Sequence, residues 1–235
     1  MTRVLAIGAH PDDVELLCGG TLALHAARGD EVFIAIATNG NVGAGEPDWD
    51  QAKTARVRHA EAQAAAGLIG ASLIWMGFDD EFLMDNRDTR ERFIDAIREA
   101  RPAVMYIHSE MDYHPDHRIA GRVARDCRIP VSVPLVSTRF PPTEIPTTFV
   151  MDTYQGRHFE PEVFVDVSAV FETKKAMLAA HASQSAWLES AFGTDLSASV
   201  VVQSRFRGAQ AGCEHAEAFR LLHDWPSTGD WRLLP

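Results

Sequence analysis

The stretch AIGAHPDDVELLCGGTLAL, residues 6–24, carries an apolar run straight into His10 and two adjacent carboxylates, Asp12 and Asp13. Upstream, RVLAIGA (3–9) is continuously apolar after its first residue and lacks polar alternation. That is the pattern of a strand buried on both faces of a parallel sheet. Downstream, VELLCGGTLALHAARGD places apolar residues at helical spacing and stops at Gly29-Asp30. A second apolar run, EVFIAIAT (31–38), follows. The three segments make a β-α-β unit, whose crossover is expected to be right-handed.

The alternation continues outward from this unit. QAKTARVRHAEAQAAA (51–66) reads as an Ala-rich helix, ASLIWM (71–76) as a strand and DTRERFIDAIREA (88–100) as an amphipathic helix. Pro102 then precedes the strand AVMYIH (103–108), and HPDHRIAGRVARDC (114–127) reads as a loop entering a helix. Such alternation predicts an α/β fold: a Rossmann-like open, mainly parallel sheet with helices on both faces and a C-terminal elaboration. Residues 129–150 are rich in Pro, Ser and Thr and read as an irregular, mobile excursion. Too little chain follows for an independent second unit, so residues 1–235 read as one domain. FVMDTY and EVFVDVS read as strands, and helices are predicted near 170–181 and 214–223.

Composition narrows the partners. Against 22 basic residues stand 33 acidic ones, a net charge of −11, which disfavours nucleic acid or an anionic membrane as the main partner, because either needs a basic face. The partners left open are a small molecule and further copies of the chain in a homo-oligomer. The three cysteines, Cys18, Cys127 and Cys213, are widely separated and form no CxxC pair, which fits reduced thiols rather than a disulfide framework. No apolar run reaches the length of a membrane helix, and VLAIGA is too short for a secretory core. A cytoplasmic location is expected.

Ligands of open parallel sheets bind beyond the carboxyl ends of the strands. His10, Asp12 and Asp13 fall at one such end, and HSEMDYHPDH (108–117) falls at another. The topology can therefore bring the two clusters together, and a divalent cation would neutralise them. Zinc suits imidazole and carboxylate donors; with three protein ligands it keeps a position for water and lowers that water's pKa to roughly 7. His10, Asp13, His114 and His117 are the candidates, with Asp12 and Asp116 in reserve, and spacing does not choose among them. A lone His-Pro-Asp more often makes a turn or helix cap. Two such motifs at two strand ends favour the metal.

AHPDDVELLCGGTLA together with DYHPDHRIAGRVA resembles the zinc-dependent N-acetylglucosaminyl deacetylases, the PIG-L or LmbE-like superfamily. RHAEAQAAAGLIGA, RPAVMYIHS, FVDVSAVFETKKAMLAAHASQ and HAEAFR extend the likeness over most of the chain. The resemblance implies that His10, Asp13 and His117 bind one zinc ion and that Asp12 is the general base. It implies that His114 stabilises an oxyanion or assists as acid, and that Asp116 orients a ligand imidazole. Arg58 matches an arginine that reaches substrate hydroxyls; its plainer reading is a surface salt bridge to Glu61. Asp79 or Asp80, Tyr113 and His181, with Ser183 and Gln184, are further candidates for the substrate pocket. Glu15 departs from the pattern, because Val14 separates it from the Asp pair.

The implied activity is removal of acetyl from an N-acetylated amino sugar or glycoconjugate. Cleavage of another amide, as in mycothiol conjugate amidases, would use the same site, and a non-catalytic metal- or nucleotide-binding module is the remaining alternative. GAHPDD is not G-x-G-x-x-G, and its carboxylates would repel a pyrophosphate. Substrate choice is expected to lie in residues 41–50 and 129–160, where the likeness is weakest.

Overall fold

The computed structural model describes residues 1–45 and 48–226, so Glu46 and Pro47 of the 41–50 segment lie outside the described residues. Seven strands form one sheet: β1 (Arg3–Gly8), β2 (Glu31–Thr38), β3 (Ser72–Phe78), β4 (Val104–Ile107), β5 (Thr147–Met151), β6 (Val163–Asp166) and β7 (Ala216–Leu221). Their spatial order is β3-β2-β1-β4-β5-β7-β6. All neighbours from β3 to β5 run parallel, and β7 lies antiparallel to both β5 and β6. This is the open, mainly parallel α/β fold expected.

The continuous apolar character of the first strands has a direct cause. Alternate side chains point to opposite faces, and both faces are covered. Leu5 and Ile7 of β1 join one core with Ala35 of β2 and Met105 of β4. Val4 and Ala6 join a second core with Ile34 and Tyr106. Helices α3 (Arg87–Ala100) and α4 (Pro115–Asp126) supply Phe93, Ile97, Ala120 and Val123 to the first core. The second is closed by α1 (Asp13–Ala27) with Leu17 and Leu22, α2 (Gln51–Gly67) with Ala66, and α5 (Phe171–Ala179) with Met177.

The expectations for the C-terminal half need correction. Residues 214–223 were expected to be helical, but Ala216–Leu221 is the central strand of the antiparallel edge. Its polar member, Glu217, is buried: it pairs with Lys174 of α5 and accepts the Gly20 and Thr21 N–H groups of α1 at 2.8 and 2.7 Å. A buried acid among small residues imitates the solvated face of a short helix. Two further helices, α6 (Ala182–Phe192) and α7 (Leu196–Ala211), also fill the C-terminal part.

The excursion expected over 129–150 ends at 146, because Thr147–Met151 is β5; residues 129–146 are irregular, as expected, yet stapled rather than loose. The buried Arg98 guanidinium donates to the carbonyl oxygens of Pro130, Val131, Val133, Val136 and Phe140 and to the Thr138 hydroxyl. Because buried carbonyls left without a donor each cost roughly 1–3 kcal/mol, Arg98→Leu is expected to lower stability by about 4 kcal/mol. Lysine, with three donors and no planar fork, should recover only part of that. Urea unfolding midpoints of the two variants check both statements.

Candidate active site

The chain runs from β1 to β2 and β3 on one side of the sheet, then returns to β4 on the other. The crevice between the ends of β1 and β4 is therefore the switch point at which ligands bind in open α/β sheets. His10, Asp12 and Asp13 leave β1 into it. His108, Asp112, His114, Asp116 and His117 reach it from the end of β4 and the start of α4. Close approach of α4 is permitted by Gly121, one turn beyond His117, where a Cβ would sit 2.4 Å from the His108 carbonyl oxygen.

His10, Asp13 and His117 converge. His10 Nδ1 and His117 Nε2 are 3.1 Å apart, Asp13 Oδ1 lies 3.1 Å from His117 Nε2, and Asp13 Oδ2 lies 3.5 Å from His10 Nδ1. A tetrahedral zinc with its usual bond lengths holds such donor atoms about 3.3 Å apart, so the donor set fits that ion. The outward nitrogens are backed by carboxylates: His117 Nδ1 lies 3.0 Å from Asp112 Oδ1, and His10 Nε2 lies 3.0 Å from Asp80 and 3.3 Å from Asp116. Imidazole ligands of metals are oriented in this way. Asp116 is itself fixed by the backbone N–H groups of Glu81 and Leu83.

The electrostatics ask for positive charge at the same place. Burial alone would lower the two histidines, yet the surrounding carboxylates raise His10 well above its usual range and His117 to about 9. Other groupings of potential ligands overlap this one: His10 with His114 and His117, Asp13 with His108 and His117, and His10 with Asp80 and Asp116.

Asp12 stands apart. It occupies the N-cap position of α1 at φ 113°, in the left-handed region that costs a non-glycine residue strain, and its side chain caps nothing. The turn-or-cap reading thus fails for Asp12, whose carboxyl lines the pocket instead. Burial lifts its pKa to about 6, and the Arg58 guanidinium, 3.7 Å away, opposes a further rise. Arg58 is buried, with Nη2 donating to Pro11 O at 2.7 Å and Nη1 to Gly40 O at 3.3 Å. The expected alternative, a surface bridge to Glu61, is excluded, because Glu61 instead receives the backbone N–H and hydroxyl of Ser183.

His114 does act as a cap: its Nδ1 accepts the Asp116 N–H at 3.2 Å, which leaves the ring proton on Nε2, facing Glu81 at 3.2 Å. Tyr113 lies exposed at the pocket mouth, its ring 5.7 Å from that of His117. Asp80 lines the pocket but is chiefly engaged with His10, while Asp79 receives the Asn41 amide at 3.2 Å. His181 is a correction: it is fully buried, its Nε2 3.5 Å from Glu15, and lies outside the pocket wall, which Gln184 joins. Of the segments expected to set substrate choice, 41–50 contributes Val42 and Gly43 and 129–160 contributes Thr153, Tyr154, Gln155, Arg157 and His158, while residues 129–150 line none of the pocket; α6 and the start of α7 complete it.

Two residues of the site were missed in sequence, His108 and Asp112. The buried His108 Nε2 is 3.1 Å from Asp13 Oδ2 and 3.0 Å from the Ala9 nitrogen, and its ring stacks on His117 at 4.4 Å. The signal available was their place at the end of a buried strand, inside the same polar cluster.

Comparison with known proteins places the chain in a family. The chain is 28% identical over 188 residues to 4-oxalmesaconate hydratase of Pseudomonas putida, covering 77% of this chain and 73% of that one. It is 30% identical over 192 residues to a probable N-acetyl-alpha-D-glucosaminyl L-malate deacetylase of Bacillus cereus, covering 77% and 83%. The fold matches N,N'-diacetylchitobiose deacetylase from Pyrococcus horikoshii with a TM-score of 0.83 at 24% identity, over 94% of this chain and 84% of that one. The family model described as PIG-L: GlcNAc-PI de-N-acetylase matches residues 5–128, which hold every group of the His10–Asp13–His117 cluster, and the chain belongs to that family.

Proposed function

We propose that the protein is a zinc-dependent N-deacetylase that hydrolyses the acetamide of an N-acetylated amino sugar or glycoconjugate. The observation that carries this reading is the division of labour between adjacent carboxylates: Asp13 faces two imidazoles, while Asp12 is held by a strained backbone, uncapped, in the pocket. A site that only stored a metal would have no use for the second carboxyl.

His10, Asp13 and His117 would hold the ion, which when bound acidifies water and polarises a carbonyl oxygen. Asp12 takes a proton from the attacking water as oxygen adds to the acetamide carbon. It then returns a proton to nitrogen as the C–N bond breaks, giving acetate and a free amine. His114, with its proton on Nε2, donates toward the oxygen that gains charge. Arg58, anchored to two backbone carbonyls, orients Asp12 and presents its remaining N–H groups to substrate hydroxyls.

Addition of water to an activated double bond is the second reading, supported by the hydratase relative. Its substrate is an organic anion, whereas five carboxylates, Asp12, Asp13, Asp80, Glu81 and Asp112, line this pocket, and α6 gives it an apolar side. That balance suits a largely neutral sugar amide better.

Asp12→Asn is expected to keep one zinc per chain while kcat falls by about 10²–10⁴; wild-type turnover in the zinc-loaded variant removes the assigned base. His114→Ala should lower kcat by about 10²–10³ with metal content intact, read by acetate release and metal analysis on the same sample. Chelation should abolish turnover and one equivalent of zinc restore it. Acetate release from N-acetylglucosamine and its glycosides supports deacetylation, and loss of a conjugated alkene's absorbance with no acetate released supports hydration instead.

A further inference from the structure

Helix α6 has an unusual relation to the core. Gln184, Trp187, Leu188 and Phe192 share one face by their spacing, yet Gln184 alone among the residues of this helix is buried. Trp187, Leu188 and Phe192 all line the cavity of about 850 Å³ that contains the His10–Asp13–His117 cluster. Phe192 is 67% exposed, and its ring meets that of Trp187 edge to face at 5.4 Å. Leu188 is backed by Leu16 and Leu196 in a small apolar cluster with Leu178 and Val200.

The wall has a definite place relative to the reacting groups. Leu16 and Leu17 follow Asp13 on α1 by three and four residues, about one helical turn or 5.4 Å along the axis, and both line the same cavity. Apolar surface therefore begins about one sugar ring from the carboxylates. A cavity of this volume exceeds what one ring fills, and a concave apolar face left open to solvent marks a ligand's apolar part.

We infer that the substrate is amphiphilic: its amide-bearing ring lies at the His10–Asp13–His117 cluster, and an aryl or short alkyl aglycone lies along Trp187, Leu188 and Phe192. Only the polar half of this statement rests on the deacetylase reading.

The test uses the zinc-loaded protein with methyl, hexyl and 4-nitrophenyl N-acetylglucosaminides as substrates. The matching glucosides, which carry no amide, serve as binding probes read by calorimetry. Each methylene that is fully covered contributes roughly fourfold, so the half-open wall should make KM and Kd about tenfold lower for hexyl than for methyl. Phe192→Ser and Trp187→Ser should collapse that ratio toward one. Equal methyl and hexyl constants, or no calorimetric binding of hexyl glucoside at millimolar concentration, overturn the inference. A hexyl preference in binding without acetate release supports the wall while removing the deacetylase reading. Sedimentation of wild type and Phe192→Ser is run in parallel; a dimer lost in the variant assigns the face to a second copy and overturns the proposal.

Discussion

The charge at the end of β1 and β4 governs the rest of the molecule. Asp13, Asp80, Asp112 and Asp116 are buried there beside His10 and His117, and Asp12 stands at their edge. Buried carboxylates are tolerated only when paired, and here each finds an imidazole or backbone N–H groups. The imidazoles in turn are held with one nitrogen toward a carboxylate and the other toward a shared point. The surrounding carboxylates favour positive charge there and raise both imidazoles. The sheet topology serves this end, because it sets two loop clusters about a hundred residues apart in sequence on either side of one crevice.

Much of this was legible in the residues. The continuous apolar runs announced strands covered on both faces, and the two His-Pro-Asp motifs at strand ends pointed to one edge of the sheet. Residue type and spacing could not separate His114 from His10 and His117. The structure adds one difference, in that His114 Nδ1 accepts the backbone N–H of Asp116, while His10, His114 and His117 still form one possible metal-holding group. His108 was overlooked because a histidine ending an apolar strand resembles an ordinary core residue until the partner strand brings Asp13 to it.

The C-terminal third was harder to read for a different reason. In the first 128 residues local pattern and tertiary environment agree, whereas β7 owes its conformation to neighbours far away in sequence. Its buried Glu217 is satisfied by Lys174 and by the α1 backbone, contacts that no window of sequence displays. The same holds for α6, whose apolar face turns to a cavity instead of a core and so lacks the burial that amphipathic spacing normally predicts. The 129–146 excursion looked mobile because its composition is poor in regular structure; its order comes from Arg98, more than thirty residues earlier.

The placement of β7 between β5 and β6 has a bearing on how the chain acquires its form during synthesis. β6 has β7 as its sheet neighbour, so when β6 leaves the ribosome the strand that will attach it has yet to be made. Lys174 likewise emerges some forty residues before its counter-ion. The crevice that gathers His10 and His117 can take shape early, from the parallel half. Helix α7 packs on β7 and α6 packs on α7, so the side of the cavity that these two helices form is completed only after β7 has been made.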